Sequence, residues 1–152
     1  MTQETRSLRF FSAKDAEPLG LEGERVAVLG YGNLGRAVAL NLRDSSVAPL
    51  VVGNVADEYA EQARTEGFTV LPIGEAVAAS DVVLVLLPDE VIPECFVEEI
   101  APSLAPNAAI AFASGYTLAY DLIRPPLDVD VLLLPTGIPL HASRVVVSVL
   151  VM

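Results

Sequence analysis

The sequence has one cysteine, one histidine, no tryptophan and only 6% aromatic residues. A single thiol, Cys95, excludes an internal disulfide and suits a reducing cytoplasm. Basic residues are scarce as well: 9 Lys and Arg stand against 20 Asp and Glu, for a net charge of −11. That balance argues against nucleic acid or an anionic membrane as a partner. An anionic ligand must then be held by local amides and a few arginines. No apolar run approaches the ~20 residues that span a bilayer, and the polar start Met1–Arg6 carries no apolar signal core. The lone histidine, His141, lies in the loop-like stretch Pro139-Leu-His-Ala, and no Gly-x-Ser-x-Gly elbow accompanies it. Cys95 falls inside an expected helix and reads as a small buried hydrophobe rather than a nucleophile.

What is abundant is apolar surface. The chain is 152 residues long and 53% hydrophobic, enough for one domain with a large core. Residues 1–24 are polar, with Pro18, Gly20 and Gly23, and read as an extended lead-in carrying a short strand at Leu8–Phe11. From Arg25 to the end, residues 25–152, strands and helices alternate. Strands are expected at Val26–Leu29, Leu50–Gly53, Phe68–Leu71, Val82–Leu87, Ala108–Phe112 and Val129–Leu134. Helices are expected at about 34–44, at Val55–Glu66, Glu75–Ala79, and from Asp89 to Ile100. Strands this apolar are buried on both faces. The alternation predicts right-handed βαβ crossovers and an α/β fold: a doubly wound, mostly parallel sheet in a single three-layer domain. The last run, Val145–Val151, is apolar on both faces and needs a covering neighbour. It predicts a homo-oligomer or a separate partner chain.

The chain is organised around Val26–Gly35. A short apolar strand runs into Gly30-x-Gly32-x-x-Gly35, and a helical pattern follows from Arg36 to Arg43. In that setting Gly30 permits the tight turn, Gly32 lets backbone approach a pyrophosphate, and Gly35 lets the helix pack closely on the strand. The helix then turns its free amides and positive dipole end towards the phosphates. A dinucleotide is the expected ligand, in the crevice at the strand ends where Gly30–Gly35, Leu87-Pro88-Asp89 and Ser114-Gly115 converge. Asn54, followed by Asp57 and Glu58, stands where an acidic ribose reader belongs, about 20 residues past the glycines, and Asp57 or Glu58 can accept from a ribose hydroxyl in its place. Asn54 reads equally as a helix cap, and Ser114-Gly115 equally as a turn. Arg36 points either to a phosphate or to solvent. No Lys or Arg occurs between Arg43 and Arg64, so nothing nearby in sequence neutralises a 2′-phosphate. This favours NAD over NADP as cofactor.

Several ordered blocks resemble the N-terminal cofactor domain of ketol-acid reductoisomerases, over about residues 8–141. They are Val26–Arg43, Ala79–Val91, Glu99–Pro102, Ala109–Tyr116, Pro125-Pro126 with Asp128–Val131, and Pro135-x-Gly137. The resemblance implies an oxidoreductase of branched-chain amino acid biosynthesis, in which an alkyl migration assisted by two Mg²⁺ precedes hydride transfer. It implies that Gly30, Tyr31, Gly32, Asn33, Leu34 and Gly35 line the pyrophosphate, and that Leu87, Pro88 and Asp89 flank the rest of the cofactor. It also exposes departures. Ser114 and Thr136 occupy positions of the family's active-site His and Lys, and the family's contacts to a 2′-phosphate have no clear counterpart. The family's helical domain, which carries the metal ligands, is not found. The acidic side chains Asp57, Glu58, Glu61, Glu66, Glu94, Glu98 and Glu99 read as solvated helix faces, so no Mg²⁺ site is expected in this chain. Three functions follow: the cofactor half of such an enzyme, a non-catalytic dinucleotide sensor or partner subunit, and a different small reductase.

Overall fold

A computed structural model describes Leu21 and residues 23–134. The expected strands Leu8–Phe11 and Val145–Val151, as well as Thr136 and His141, lie outside the described residues. Six parallel strands form one sheet in the order β3-β2-β1-β4-β5-β6. They are β1 (Val26–Leu29), β2 (Leu50–Gly53), β3 (Thr69–Leu71), β4 (Val82–Val85), β5 (Ala109–Phe112) and β6 (Asp130–Leu133). β1 is central because it is apolar throughout and every one of its residues is buried. The order reverses beside it: β2 and β3 lie to one side, β4 to β6 to the other. That reversal opens the crevice beyond the carboxyl ends of the strands.

The helices are α1 (Asn33–Asp44), α2 (Glu58–Thr65), α3 (Ile73–Ala78), α4 (Ile92–Cys95) and α5 (Tyr116–Ala119). Period-two alternation divides the strand side chains between two cores. Ala27, Leu29, Val83, Val85, Ile110 and Phe112 face Ile73, Val77, Ile92, Phe96 and Ile100 on one side. Val28 and Val52 face Tyr31, Ala39, Ala63 and Phe68 on the other. Three layers result.

Two helices depart from expectation. α2 starts at Glu58 rather than Val55, because Asp57 is the N-cap and accepts from Ala60 N at 2.9 Å. The expected helix Asp89–Ile100 begins only at Ile92, with Pro93 in its first turn where a missing N–H costs nothing. It continues as a π-helical segment, Phe96–Ile100, and a 3₁₀ turn, Ala101–Ser103. β4 is shorter than expected as well. Leu86 N still bonds Leu29 O at 2.9 Å, but the chain then lifts over the glycine turn.

Candidate functional site

The crevice is built from the β1–α1 turn upward. Gly30 has φ +90°, a conformation that side-chain-bearing residues rarely adopt, and its N–H donates to Gly53 O at 2.8 Å. Gly35 faces it: a Cβ at Gly35 would lie 2.0 Å from the Gly30 carbonyl oxygen. Helix and turn therefore touch backbone to backbone. Gly32, by contrast, is the N-cap and supplies no side chain to the first-turn amides. A Cβ there would meet nothing within 4 Å. The first helical bond runs from Arg36 N to Gly32 O, so the amides of Asn33, Leu34 and Gly35 precede the ladder. An open cradle, uncapped amides and a helix N-terminus form a fitting seat for a pyrophosphate.

Around that seat the structure places the other expected residues. Leu87 lies directly over the turn, its Cδ2 3.2 Å from where a Cβ of Gly30 would be. Asp89 follows in the same loop, with a buried Oδ1 that finds no hydrogen-bond partner among the described residues. A buried orphan acceptor beside a ligand crevice fits a ligand donor. Pro88 between them is exposed. Ser114 and Gly115 follow β5. Ser114 Oγ accepts from Tyr116 N at 3.3 Å, and Gly115 is the N-cap of α5, so both have a turn role.

Asn54 is not the cap of α2; its amide braces the site. Its Oδ1 accepts from Tyr31 N at 3.2 Å, and its Nδ2 donates to Asp57 Oδ1 at 2.7 Å and to Val55 O at 3.0 Å. One residue thus ties the glycine turn to the β2–α2 loop. Asp57 Oδ1 is consumed by Asn54 and Ala60, while its Oδ2 accepts no hydrogen bond from the described residues. Between Asn54 and Asp57, Asp57 is the one with a whole oxygen to offer; Glu58, the third sequence candidate, is exposed on the first turn of α2.

Three side chains are not where the sequence suggested. Tyr31 does not line the crevice: its ring is 1% exposed and packs edge-on against Phe68, centroids 5.6 Å apart. Its buried hydroxyl needs an acceptor and donates to Glu66 Oε2 at 2.7 Å. Burial, then this bond, push the Tyr31 phenol above its ordinary range; the same bond, with help from Arg36, holds Glu66 below the usual carboxylate range. Arg36 is half exposed to solvent and pairs with Glu66 at 2.9 Å. Glu66 is accordingly no solvated helix residue: it joins Tyr31, Arg36 and Gln62 at the base of α1 and α2.

Between the ends of β2 and β3 lies a cleft of about 260 Å³. Asn54, Val55 and Ala56 form one wall, Pro72 and Ile73 another, and Arg64 and Glu99 reach into it. Arg64, Ile73 and Glu99 were missed by reading the sequence. For Arg64 a signal existed, because Asp57 and Arg64 sit about two turns apart on one helix face. Cys95 is buried as expected, and burial pushes its thiol up to about 11. Among the described residues no group of three or more His, Cys, Asp or Glu is placed to hold a metal, and no helix is long and apolar enough to cross a membrane.

The sheet order, the glycine turn at the reversal and the uncapped α1 terminus define the class: a doubly wound domain of the Rossmann type. Residues 20–146 match the family described as acetohydroxy acid isomeroreductase, NADPH-binding domain. The chain belongs to that family. It is 42% identical over 90% of its length to a ketol-acid reductoisomerase (NADP(+)) of Pyrobaculum neutrophilum, and 42% identical over 86% to one of Bifidobacterium longum. It spans 42% and 37% of those two proteins. The solved structure of an NADH-preferring ketol-acid reductoisomerase from an uncultured archaeon superposes with a TM-score of 0.80 at 35% identity, over 87% of this chain and 41% of that one. A Mycobacterium tuberculosis 3-hydroxyisobutyrate dehydrogenase shares the fold, at 24% identity, a TM-score of 0.58, and coverage of 75% of this chain and 41% of that one.

Proposed function

We propose that this chain is the cofactor-holding half of a ketol-acid reductoisomerase-type enzyme and that it takes NADH in preference to NADPH. The observation that carries the preference is Asp57. Its free Oδ2 stands at the N-cap of α2, at the close of the loop that follows β2, where it can accept hydrogen bonds from a ribose diol and would repel a 2′-phosphate. The family description and the curated relatives name NADP, whereas one solved relative is named NADH-preferring. A bound reduced nicotinamide supplies hydride for reduction of a carbonyl. This chain's own residues seat and orient it: the amides after Gly32 take the pyrophosphate, Asp57 the ribose, and Asp89 a donor on the far side of the turn. Ser114, at the position of the family's histidine, is assigned no proton transfer, since its hydroxyl caps a turn. The metal-assisted step is assigned to groups beyond the described residues, and the chain is expected to act as a homo-oligomer or with a partner chain.

Calorimetric titration with NADH and NADPH at matched ionic strength tests the reading. One carboxylate facing a 2′-phosphate predicts NADH tighter by about tenfold, roughly 1.4 kcal/mol. Equal or tighter NADPH binding overturns the preference, and no binding of either overturns the cofactor role. Light scattering of a stable monomer at micromolar concentration overturns self-association.

A further inference from the structure

The cleft beside Asp57 contains one feature that ribose recognition does not use. Arg64, on the last turn of α2, lines the same cleft as Asn54, Val55 and Ala56. The other described arginines are committed elsewhere. Arg25 is held by Asp81, Arg36 by Glu66 and Arg124 by Asp121, while Arg43 bonds Glu66 O and lies over the Phe68 ring. Among the described residues Arg64 is held only by Glu61, one turn earlier on the same helix, through a single guanidinium nitrogen. Both side chains of that pair are well exposed, 46% and 74%.

We propose that Arg64 is the group in this cleft that would receive a 2′-phosphate, and that Glu61 sets its availability by competing for the same guanidinium. The proposal rests on the dinucleotide reading above and deepens it. A guanidinium presents five donors in a fixed fork, and one exposed carboxylate satisfies only part of it. A phosphate dianion carries more charge than Glu61 and can take the fork bidentately. Glu99, which lines the same cleft, opposes such a phosphate, and so does Asp57 at the start of α2. Cofactor choice is thus a balance in which Asp57, Glu61 and Glu99 count against the phosphate and Arg64 counts for it. With a net charge of −11, the global field adds to these carboxylates, so the local cation matters.

The adenosine end can be tested alone, with 2′,5′-ADP and 5′-ADP as probes that differ only in the 2′-phosphate. Titrations use the full chain and three variants, Arg64→Ala, Arg64→Lys and Glu61→Gln. All change exposed side chains, and urea midpoints verify folding. Arg64→Ala is expected to weaken 2′,5′-ADP about tenfold while 5′-ADP stays within about twofold. Arg64→Lys should fall between, because it keeps the charge and loses the fork. Glu61→Gln should strengthen 2′,5′-ADP about threefold without moving 5′-ADP. Added salt should shrink all three contrasts. Equal changes for both probes would make Arg64 a wall of the cleft and overturn the proposal, as would no change for either. If the unaltered chain binds neither probe, the cofactor reading falls with it. Binding of both with Arg64→Ala neutral removes this proposal alone.

Discussion

Replacing Gly35 by alanine separates the packing role of the glycine turn from its binding role. A Cβ at Gly35 would sit 2.0 Å from the Gly30 carbonyl oxygen and 2.9 Å from its carbon. Gly30 cannot retreat easily, because its N–H is bonded to Gly53 at 2.8 Å and the Leu86 carbonyl crowds its other side. The helix must move instead, by about 1.4 Å to reach ordinary contact. Alanine's better helix propensity returns about 1 kcal/mol. Overpacking of backbone on backbone costs about 3 kcal/mol, the upper part of its usual range. The expected balance is a loss of about 2 kcal/mol. With a urea dependence of about 2 kcal/mol per molar, the midpoint falls by about 1 M. The chain lacks tryptophan, so far-ultraviolet circular dichroism is the signal to follow. Gly32→Ala is the matched control, since its Cβ meets nothing within 4 Å. It should cost less than about 1 kcal/mol of stability yet fill the cradle and weaken NADH at least tenfold. An unchanged or raised midpoint for Gly35→Ala would refute the reasoning, and so would a Gly32→Ala variant that binds NADH normally.

Other consequences can be measured on the same material. Cys95, the one thiol of the sequence, is buried and its titration is pushed up to about 11. Iodoacetamide at pH 8 should leave the folded chain unmodified over the time in which the urea-unfolded chain gains one adduct by mass; equal rates would refute its burial. Asp81 accepts from Arg25 side chain and backbone, which hold its carboxyl down to about 2 from an ordinary 3.8. A depressed folded value means that this contribution is present above about 4 and is lost as pH falls towards 2. Asp81→Asn should therefore destabilise at pH 7 and flatten the urea midpoint between pH 4 and 2; an unaltered acid limb would count against the pair. Phe112 is fully buried and packs on Phe96 with centroids 6.2 Å apart. Phe112→Ala should cost about 3–5 kcal/mol, and a loss under 1 kcal/mol would show that the core collapses around the gap.

Sequence alone was enough for the sheet. Continuous apolar runs separated by glycine, proline and aspartate fix strand identity locally, and right-handed crossovers leave few ways to arrange them. The boundaries of β2 agree to the residue, and Gly30, Gly32 and Gly35 each face the environment that their spacing implied. Membership of the family was legible for the same reason, since ordered motifs are a one-dimensional property. What the sequence could not decide was the direction and partner of individual side chains. Tyr31 lies between two site glycines yet turns into the core, because Phe68 and Glu66, distant in sequence, complete a buried niche for ring and hydroxyl. Asn54 and Asp57 looked interchangeable as ribose readers, and only the closure of Asn54 onto Tyr31 N left the free oxygen on Asp57. Arg64 escaped the sequence reading, although α2 carries it to the cleft lined by Asn54, Val55 and Ala56. Strand order follows from local pattern and chirality. Which atom is left unpartnered at a crevice follows from contacts between remote segments, and only the tertiary structure brings those together.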